Sequence, residues 1–567
     1  MPTIKPKRAA ASEILQSFGG IGQSSSSREH GSSDLQNFRI LSDGSLEKRC
    51  GFKTKFAFSA TLRGFWDGFI GGKPLTCAVA GSELLIRENG SFVSKLTLST
   101  ASGTVQFAVY RDHLYLLDGS TIYVYSPYRE VFLPAIGYVP LIGFQWNPTT
   151  LGSFHEPINL FSNKMRIHYK NLEGSTVYNL PFTAASIDFM LADGVSVTDY
   201  SFTPGSSSFS VNAVYSGLEV GFTRAITQDE IEYISSSKQA VCDRLNDREI
   251  LFLFGGRSGN YLFGTVPVDD DMMNSSRAVY PTSDPLYCTV NMQISAGTPI
   301  NPITSVYKQR DRFLAFHDNG ALSLRIDEND RLVGYPVLFG YGCTAKLPQT
   351  VIDDKFVIIN RGGVFTLSSD ASDPDRFDLV PIADSLPAMK TASFSKNATV
   401  CYNAEHEELW FCDTVHFDRV WVYHVRQKKW YTFSGFTPSF FLTYQGNIGF
   451  ASESGLYLFD DAKNTDNGEP ITAMLTSGYL FADSPESIKR ISDVTLLAQC
   501  GTNNVELQWN TERESRSVNL SSVSEHSLPV LYERHVEAGR FRLLQLVLTD
   551  TGEYRTHIYR LAVFANS

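Results

Sequence analysis

The chain is built from short runs in which apolar and polar residues alternate, and tight-turn sequences separate these runs. Residues 113–125 alternate on both sides of Asp118-Gly119, and residues 312–325 do so around Asn319-Gly320. A glycine after Asp or Asn supplies the positive φ that a two-residue hairpin turn needs. The pattern therefore predicts an all-β protein. Further hairpins are predicted near Gly81-Ser82, Gly255-Gly256, Gly362-Gly363 and Glu453-Ser454-Gly455.

The predicted hairpins recur at a regular spacing. Their turns are 38 residues apart between Gly81 and Gly119, and 43 residues apart between Asn319 and Gly362. A period of about 40 to 50 residues is typical of four-stranded β-propeller blades. Stacked β-sandwiches also need regular hairpins and are the alternative. We predict an all-β fold: a β-propeller with an inserted small β-sandwich domain and a C-terminal β-sandwich-like region.

Three regions depart from the hairpin period. The Gly- and Ser-rich start predicts a flexible arm. Residues 138–235 interrupt the period and predict the inserted sandwich. A capping box at Thr227-x-x-Glu230 predicts one short helix over Ile231 and Ile234. Long alternating runs near the end predict the C-terminal sandwich. The predicted domains are the flexible arm (1–36), first blades with an N-terminal hairpin (37–137), the inserted sandwich (138–235), remaining blades (236–470) and the C-terminal β region (471–567).

The stretch from residue 37 to residue 52 predicts the N-terminal hairpin. Asn37 to Leu41 forms a short strand, Asp43-Gly44 is the tight turn, and the return strand begins at Leu46. We expect Lys48 and Arg49 to hold the hairpin or a neighbouring subunit rather than to grip DNA. The candidate assembly hairpin therefore comprises Asn37, Arg39, Asp43, Gly44, Leu46, Lys48, Arg49 and Gly51.

This stretch resembles a known sequence signature. The Asn-apolar-Arg run followed by Asp-Gly-Ser-Leu-x-Lys-Arg-x-Gly is similar to the N-terminal signature of the tail nozzle (tubular tail protein B) and packaged-DNA stabilisation proteins of short-tailed bacteriophages. One departure is Cys50, which stands where that family often has Pro or another residue. The resemblance covers about 16 residues at the level of the motif, whereas along the rest of the chain it is one of architecture alone.

The resemblance implies a structural virion protein and not an enzyme. The expected role is a tail nozzle subunit in a homo-oligomeric ring of six copies, which closes and then conducts the genome during DNA ejection. The implied partners are the tail adaptor and portal-side proteins, tail fibres, and genomic DNA that passes through the lumen without specific binding. The implied location is the virion tail, after assembly in the host cytoplasm. The alternative is a glycan- or receptor-binding propeller of a phage tail, in which Trp421, Trp430 and Tyr431 stack on sugars.

Composition narrows these functions further. The net charge of −11 argues against tight nucleic-acid binding, because that affinity comes from Lys and Arg at phosphates. The eight cysteines show no C-x-x-C spacing, so we expect reduced, mostly buried thiols. The N-terminus has no apolar signal region, and no run of about 18 apolar residues predicts a membrane span.

No catalytic or cofactor motif stands out. The chain has no G-x-S-x-G elbow, phosphate loop or H-E-x-x-H sequence. His406, His416 and His424 lie near several acids, but their wide spacing predicts a hairpin and its loops rather than a metal site. The acidic run at 460–468 does not fit a calcium loop. We therefore predict no cofactor, no metal and no catalytic residue, and a glycan hydrolase or lyase on the propeller face remains a weaker alternative.

Overall fold

A computed structural model describes the chain. It covers residues 12–13, 18–22, 31–135, 137–159, 162–225, 250–256, 259–266, 277–279, 286–287, 293–295, 303–309, 312–327, 332–345, 350–352, 355–360, 362–369, 376–383, 386, 394–453, 455–480, 488–520, 529–536 and 540–566. Within these ranges the backbone forms strands, turns and irregular segments, with no helix. The helix predicted after Thr227 lies outside the described residues.

The strands are short and numerous, as expected for repeated hairpins. In chain order they are β1 (Ser12–Glu13), β2 (Ser32–Gln36), β3 (Phe38–Ile40), β4 (Leu46–Lys48), β5 (Gly51–Ala57), β6 (Leu62–Ile70), β7 (Lys73–Ala80), β8 (Glu83–Glu88), β9 (Ser91–Thr97), β10 (Gln106–Tyr110), β11 (His113–Leu117), β12 (Ile122–Ser126), β13 (Val131–Pro134), β14 (Leu141–Trp146), β15 (Lys164–Lys170), β16 (Val177–Asn179), β17 (Ala184–Ala192), β18 (Val195–Ser196), β19 (Tyr200–Phe202), β20 (Ser208–Val211), β21 (Gly217–Arg224), β22 (Ile250–Gly256), β23 (Gly259–Val266) and β24 (Arg277–Val279). They continue with β25 (Gln293–Ser295), β26 (Ser305–Gln309), β27 (Arg312–His317), β28 (Gly320–Ile326), β29 (Leu332–Phe339), β30 (Val351–Ile352), β31 (Lys355–Asn360), β32 (Gly363–Ser369), β33 (Phe377–Pro381), β34 (Thr399–Asn403), β35 (Glu408–Cys412), β36 (Val420–His424), β37 (Lys429–Phe433), β38 (Phe440–Tyr444), β39 (Asn447–Ser452), β40 (Gly455–Asp460), β41 (Thr465–Asp466), β42 (Glu469–Ser477), β43 (Arg490–Gln499), β44 (Asn504–Thr511), β45 (Ser515–Asn519), β46 (Val530–His535), β47 (Leu544–Gly552) and β48 (His557–Asn566).

The chain divides into two compact units. The first contains Met1–Leu62 and Cys343–Ser567, and the second contains Arg63–Gly342. In the second unit, β6–β9, β10–β13, β22–β25 and β26–β29 each form a four-stranded sheet of neighbouring strands. Apolar side chains of β6–β9 and β10–β13, among them Val79, Leu84 and Leu114, form one buried cluster. Repeated four-stranded meanders of this kind are propeller blades.

The predicted inserted sandwich lies between two of these blades in the sequence. One of its sheets has the order β14-β15-β21-β17-β18, and the other has the order β16-β20-β19. Their inner faces share a core that includes Tyr169, Val220, Tyr178 and Phe209. Residues of β15 and β21 alternate between buried and partly exposed, as expected when one face of a sheet packs against a second sheet.

The first unit contains three further meanders. Strands β30–β33 form one, and β34–β37 form the second within a larger sheet. The third has the order β38-β39-β40-β5, so β5 from the N-terminal part of the chain supplies its fourth strand. Phe52 of β5 sits among four aromatic rings, with centroid distances of 5.0 Å to Phe450 and 5.7 Å to Phe459.

The C-terminal strands form the second layered region of this unit. One sheet continues from β37 through β2 to β42, β47, β44 and β45, and the other has the order β3-β4-β48-β43-β46. The two sheets bury a common core that includes Leu475, Leu507, Leu548 and Val563. The fold class predicted from the sequence is therefore confirmed: an all-β propeller with an inserted sandwich and a C-terminal sandwich-like region.

The structure differs from the predicted domains at the N-terminus. Residues 32–36, which the prediction assigned to the flexible arm, form β2 and pair with β42. The hairpin, which the prediction grouped with the first blades, pairs through Leu46 with Ile558 of β48. The physical reason is that the apolar residues of both segments complete a core whose other strands lie roughly 400 to 500 residues away in the sequence.

We predict that Phe52→Ala destabilises the first unit by about 3 to 5 kcal/mol, because it empties a site enclosed by aromatic rings. The matched control is Phe69→Ala, since Phe69 is 72% exposed and its loss should change stability by less than about 0.5 kcal/mol. Urea unfolding followed by tryptophan fluorescence measures both variants. Equal midpoints for the two would contradict the assignment of β5 as a core strand.

Candidate functional site

The candidate hairpin consists of β3, β4 and the turn that joins them. The Oδ1 atom of Asp43 accepts hydrogen bonds from the Ser45 backbone N–H at 2.9 Å and from the Ser45 hydroxyl at 2.5 Å. Gly44 adopts a φ of 84°, which glycine tolerates without strain. These bonds hold the pKa of Asp43 below its usual value. The turn is therefore fixed by its own residues.

Arg39 of β3 forms a buried ion pair with a propeller blade. Its Nε atom lies 2.8 Å from Oε1 of Glu408, and both side chains are almost fully buried, with 2% and 1% exposure. The same carboxylate accepts hydrogen bonds from the Trp410 indole at 2.8 Å and from the Tyr431 hydroxyl at 2.7 Å. Burial alone would lower the pKa of Arg39, but the Glu408 carboxylate raises it, and the net direction is upward. Arg39 therefore ties the hairpin to β35.

Lys48 of β4 forms the second buried pair. Its Nζ atom donates to Oδ1 of Asp550 at 2.8 Å and to the carbonyl oxygen of Gly552 at 2.9 Å. The Asn503 amide also donates to this carboxylate at 2.8 Å. Burial raises the pKa of Asp550, and the charge of Lys48 acts in the opposite direction. Lys48 therefore ties the hairpin to β47 in the C-terminal region.

Arg49 forms the third pair, immediately after β4. Its two terminal nitrogens donate to the two carboxylate oxygens of Asp466, at 2.9 and 2.5 Å. Its remaining N–H groups donate to the Asn37 side chain at 2.9 Å and to the carbonyl oxygens of Cys50 and Ser434. Such two-point contact between a guanidinium and a carboxylate gives a strong, directional pair. It joins the hairpin to β41 and to the segment after β37.

Gly51 is required by a close backbone approach. A Cβ atom built at this position would lie 2.0 Å from the carbonyl oxygen of Thr465, so any other residue would force β5 and β41 apart. Leu46 is fully buried in the core of the C-terminal region. Six of the eight predicted residues are thus buried, and only Asp43 and Gly44 in the turn reach the surface. A role of the hairpin in assembly stays a prediction.

Three residues approach the arrangement of a metal site. Ligand atoms of Glu405, His406 and Asp461 lie within 4.8 Å of one another, and they are the one such group in the described part of the chain. However, Nη1 of Arg39 lies 3.2 Å from Nε2 of His406, and Arg555 pairs with Asp461 at 3.0 Å. Two adjacent guanidinium groups oppose a bound cation electrostatically, so this group serves better as an ion-pair network.

The other two histidines of the sequence group lie apart from this network. His416 contacts the buried carboxylate of Asp413 at 3.1 Å. His424 is largely buried on β36, and burial lowers its pKa. Each histidine therefore has a separate packing environment, and the three do not converge on one point.

A serine and a histidine also lie within hydrogen-bond distance in the C-terminal region. The Ser45 hydroxyl is 2.7 Å from Nε2 of His557. A nucleophilic triad needs a carboxylate on the other imidazole nitrogen, whereas here Asp43 accepts from the serine hydroxyl itself. Ser45 is also buried. This arrangement fastens the turn to β48 and does not activate the serine.

The aromatic residues considered for sugar stacking are packed inside the blade. Trp421, Trp430 and Tyr431 are all buried. Trp430 contacts Tyr423, with ring centroids 4.9 Å apart, and its indole donates to the carbonyl oxygen of Ile382. These side chains offer no surface for a glycan.

Comparisons with known proteins leave the family open. No family model matches the chain, and no curated protein matches it. Among solved structures, the chain is similar to the AfRom2 CNH domain, at 8% identity and a TM-score of 0.33, with 72% of this chain and 97% of that chain covered. It is also similar to the Dos1 propeller, at 8% identity and a TM-score of 0.33, with 79% and 95% covered.

A third similar structure is an exo-beta-1,3-galactanase from Phanerochaete chrysosporium, at 8% identity and a TM-score of 0.22, with 90% of this chain and 99% of that chain covered. At such TM-scores none of these likenesses supports an argument.

Among the described residues, no helix has the length and apolar character needed to cross a membrane.

We predict that Arg39→Met destabilises the first unit by about 3 to 5 kcal/mol, because it leaves the buried Glu408 carboxylate without its cation. Arg426→Met is the matched control. Arg426 pairs with Glu407 at an exposed site, so its loss should cost less than about 1 kcal/mol. Urea unfolding of both variants measures the difference. Similar losses in the free energy of unfolding would show that the buried Arg39 pair contributes no more than the exposed one.

We also predict a pH-dependent contribution from Asp43. Its pKa in the folded protein is lowered by the Ser45 hydrogen bonds, so its contribution is present above the unfolded carboxyl pKa of about 3.9 and is lost as the pH falls through the folded value. Asp43→Asn keeps the turn but does not titrate. Between about pH 6 and about pH 3, the wild type should lose stability relative to this variant. A constant difference in free energy of unfolding over that range would contradict the prediction.

Proposed function

We propose that this chain is a structural virion protein, a subunit of the tail nozzle of a short-tailed bacteriophage. The proposal depends on one observation, which is that the cationic residues of the hairpin are buried in ion pairs. Arg39, Lys48 and Arg49 are all buried, and each is paired with a carboxylate from a different part of the chain. The residues on which the family resemblance depends are therefore the residues that this fold needs.

The proposed mechanism is mechanical. Six copies assemble in a ring beneath the tail adaptor and portal-side proteins, and the β-propellers with their inserted sandwiches form its wall. The lumen is closed before infection and conducts the genome afterwards. A subunit charge of −11 supports passage without capture, since a surface that repels phosphate does not hold DNA. In this proposal tail fibres are further neighbours of the ring.

The competing functions have less support. The receptor-binding alternative depended on Trp421, Trp430 and Tyr431, and these side chains are buried. An enzymatic alternative needs a nucleophile, an acid–base pair or a metal site. The Ser45–His557 contact lacks the carboxylate geometry, and the His406 network contains two guanidinium groups. A non-enzymatic, structural role is therefore the function that we propose.

Electron microscopy of intact virions, labelled with an antibody against this chain, tests the proposal. We expect label on a hollow ring beneath the portal and adaptor, with a central opening wide enough for duplex DNA. The control is a sample of virions treated with an antibody against an unrelated antigen. Label on peripheral projections would contradict the nozzle and favour receptor binding. Virions without label would remove the viral assignment altogether.

A further inference from the structure

The sequence contains three Asn-Gly pairs, which are Asn89-Gly90, Asn319-Gly320 and Asn467-Gly468. At such a pair the glycine nitrogen can attack the side-chain amide of the asparagine, and glycine has no side chain to obstruct the attack. The attack needs an asparagine side chain that is free to turn and a backbone that is free to distort. The surroundings of each pair therefore decide which asparagine reacts in the folded protein.

Asn89-Gly90 forms the tip of the hairpin that joins β8 to β9. Glu88 and Ser91 pair across it, and the φ angles of 49° at Asn89 and 90° at Gly90 are those of a two-residue hairpin turn. Both residues of the tip are exposed, and nothing lies within 4 Å of a Cβ atom built at Gly90. Within the described residues, the Asn89 side chain forms no hydrogen bond, and the Gly90 N–H has no backbone acceptor.

Packing does not hold this turn. Strand β9 is the edge strand of the sheet β6-β7-β8-β9, and none of its seven residues is buried. The ion pair nearest in sequence joins Glu88 to Lys95 at 2.7 Å, and both side chains are accessible to water, so it adds little stability. An exposed tip at the edge of a sheet opens locally at a low cost in free energy. Both the amide and its attacking nitrogen are therefore free to move.

Asn467-Gly468 is a matched comparison, because its turn has the same backbone geometry. The φ angles are 52° and 96°, both residues are exposed, and nothing lies within 4 Å of a Cβ atom built at Gly468. However, Oδ1 of Asn467 accepts hydrogen bonds from the backbone N–H of Thr54 at 2.6 Å and from its hydroxyl at 3.1 Å. The Asn467 N–H donates to the carbonyl oxygen of Phe52 at 2.8 Å. These bonds tie the side chain and the backbone of Asn467 to β5, so the rotation that the attack requires would break them.

Asn319-Gly320 is protected by the sheet itself. Gly320 is the first residue of β28, and it has His317 on one neighbouring strand and Phe339 on the other as its partners. The carbonyl oxygen of Asn319 also accepts a hydrogen bond from the Gly340 N–H at 2.8 Å. The attacking nitrogen therefore lies between two strands, and it becomes available only when β28 leaves the sheet.

We propose that Asn89 is a site of spontaneous deamidation in the folded protein. Hydroxide removes the proton of the Gly90 N–H, and the nitrogen then forms a bond to Cγ of Asn89. The bond from Cγ to Nδ2 breaks, and ammonia leaves after taking a proton from water. A second water molecule opens the resulting succinimide at one of its two carbonyl carbons, which gives aspartate or isoaspartate. This inference is independent of the nozzle proposal.

The modification changes both the charge and the shape of this blade edge. Each product places one new carboxylate directly after Glu88. Isoaspartate also inserts the side-chain methylene into the main chain of the turn. A two-residue turn fits its strands only with its own backbone length, so the closing pair of Glu88 and Ser91 loses its geometry.

Peptide mapping by mass spectrometry tests the inference on the full, folded chain. The protein is kept at mildly alkaline pH, and samples taken over time are acidified and digested with trypsin. The tryptic peptides 88–95, 313–325 and 464–489 each contain one of the three pairs. We expect the peptide of Asn89 to deamidate about tenfold or more faster than the other two, which corresponds to about 1.4 kcal/mol in the free energy of local opening. Its rate should rise with the hydroxide concentration.

Two controls separate the effect of the fold from that of the sequence. In the urea-unfolded chain the three peptides should react at similar rates, because the tether of Asn467 and the sheet around Gly320 are lost. Asn89→Gln keeps an exposed amide but disfavours the five-membered ring, so peptide 88–95 should stop changing mass while the far-ultraviolet circular dichroism stays the same. A folded chain in which Asn89 reacts no faster than Asn319 or Asn467 overturns the inference. The same ranking in the unfolded chain also overturns it, since the fold would then not select the site.

Discussion

Burying three cationic side chains from one short hairpin imposes a strict condition on the rest of the fold. An isolated charge in the interior is costly, and it is tolerated when a carboxylate and further hydrogen-bonding groups surround it. Arg39, Lys48 and Arg49 meet this condition through Glu408, Asp550 and Asp466. Glu408 belongs to a propeller blade, Asp550 to the C-terminal strands and Asp466 to β41. The hairpin can therefore reach its final environment only when all three regions are in place.

The strands of the hairpin and those next to it in sequence also pair with strands that are distant in the chain. Strand β2 joins β42, β4 joins β48, and β5 completes the meander of β38–β40. Each contact joins residues separated by roughly 400 or more positions in the chain. Contacts of such sequence separation are slow to form, because the chain must close long loops before their energy is gained. A mismatch at the hairpin would therefore leave several strand edges without their partners.

Local features of this fold were predictable from the sequence. Asp118-Gly119 lies in the turn between β11 and β12, because the turn chemistry and the alternation lie within a few residues. The turn between β27 and β28 falls at Asp318-Asn319, one residue before the predicted Asn319-Gly320 pair, since Gly320 already pairs with His317. The partners of Arg39, Lys48 and Arg49 were not predictable, since nothing near Glu408, Asp466 or Asp550 indicates the distant hairpin. The sequence also did not indicate which individual aromatic residues are buried. Trp430 is in a core and Phe144 is on a surface, although both occur in similar alternating runs.

The hairpin is part of the core of the first unit, and we expect that it does not open by itself. Native-state hydrogen exchange, read by mass spectrometry, measures this directly. Amides of β3 and β4 should exchange at the same rate as those of β43 and β48, because the ion pairs and the shared sheet make these strands one cooperative unit. Exchange of β3 and β4 that is markedly faster than that of β43 and β48 would contradict the claim, because it would show a hairpin that opens while the C-terminal region stays folded.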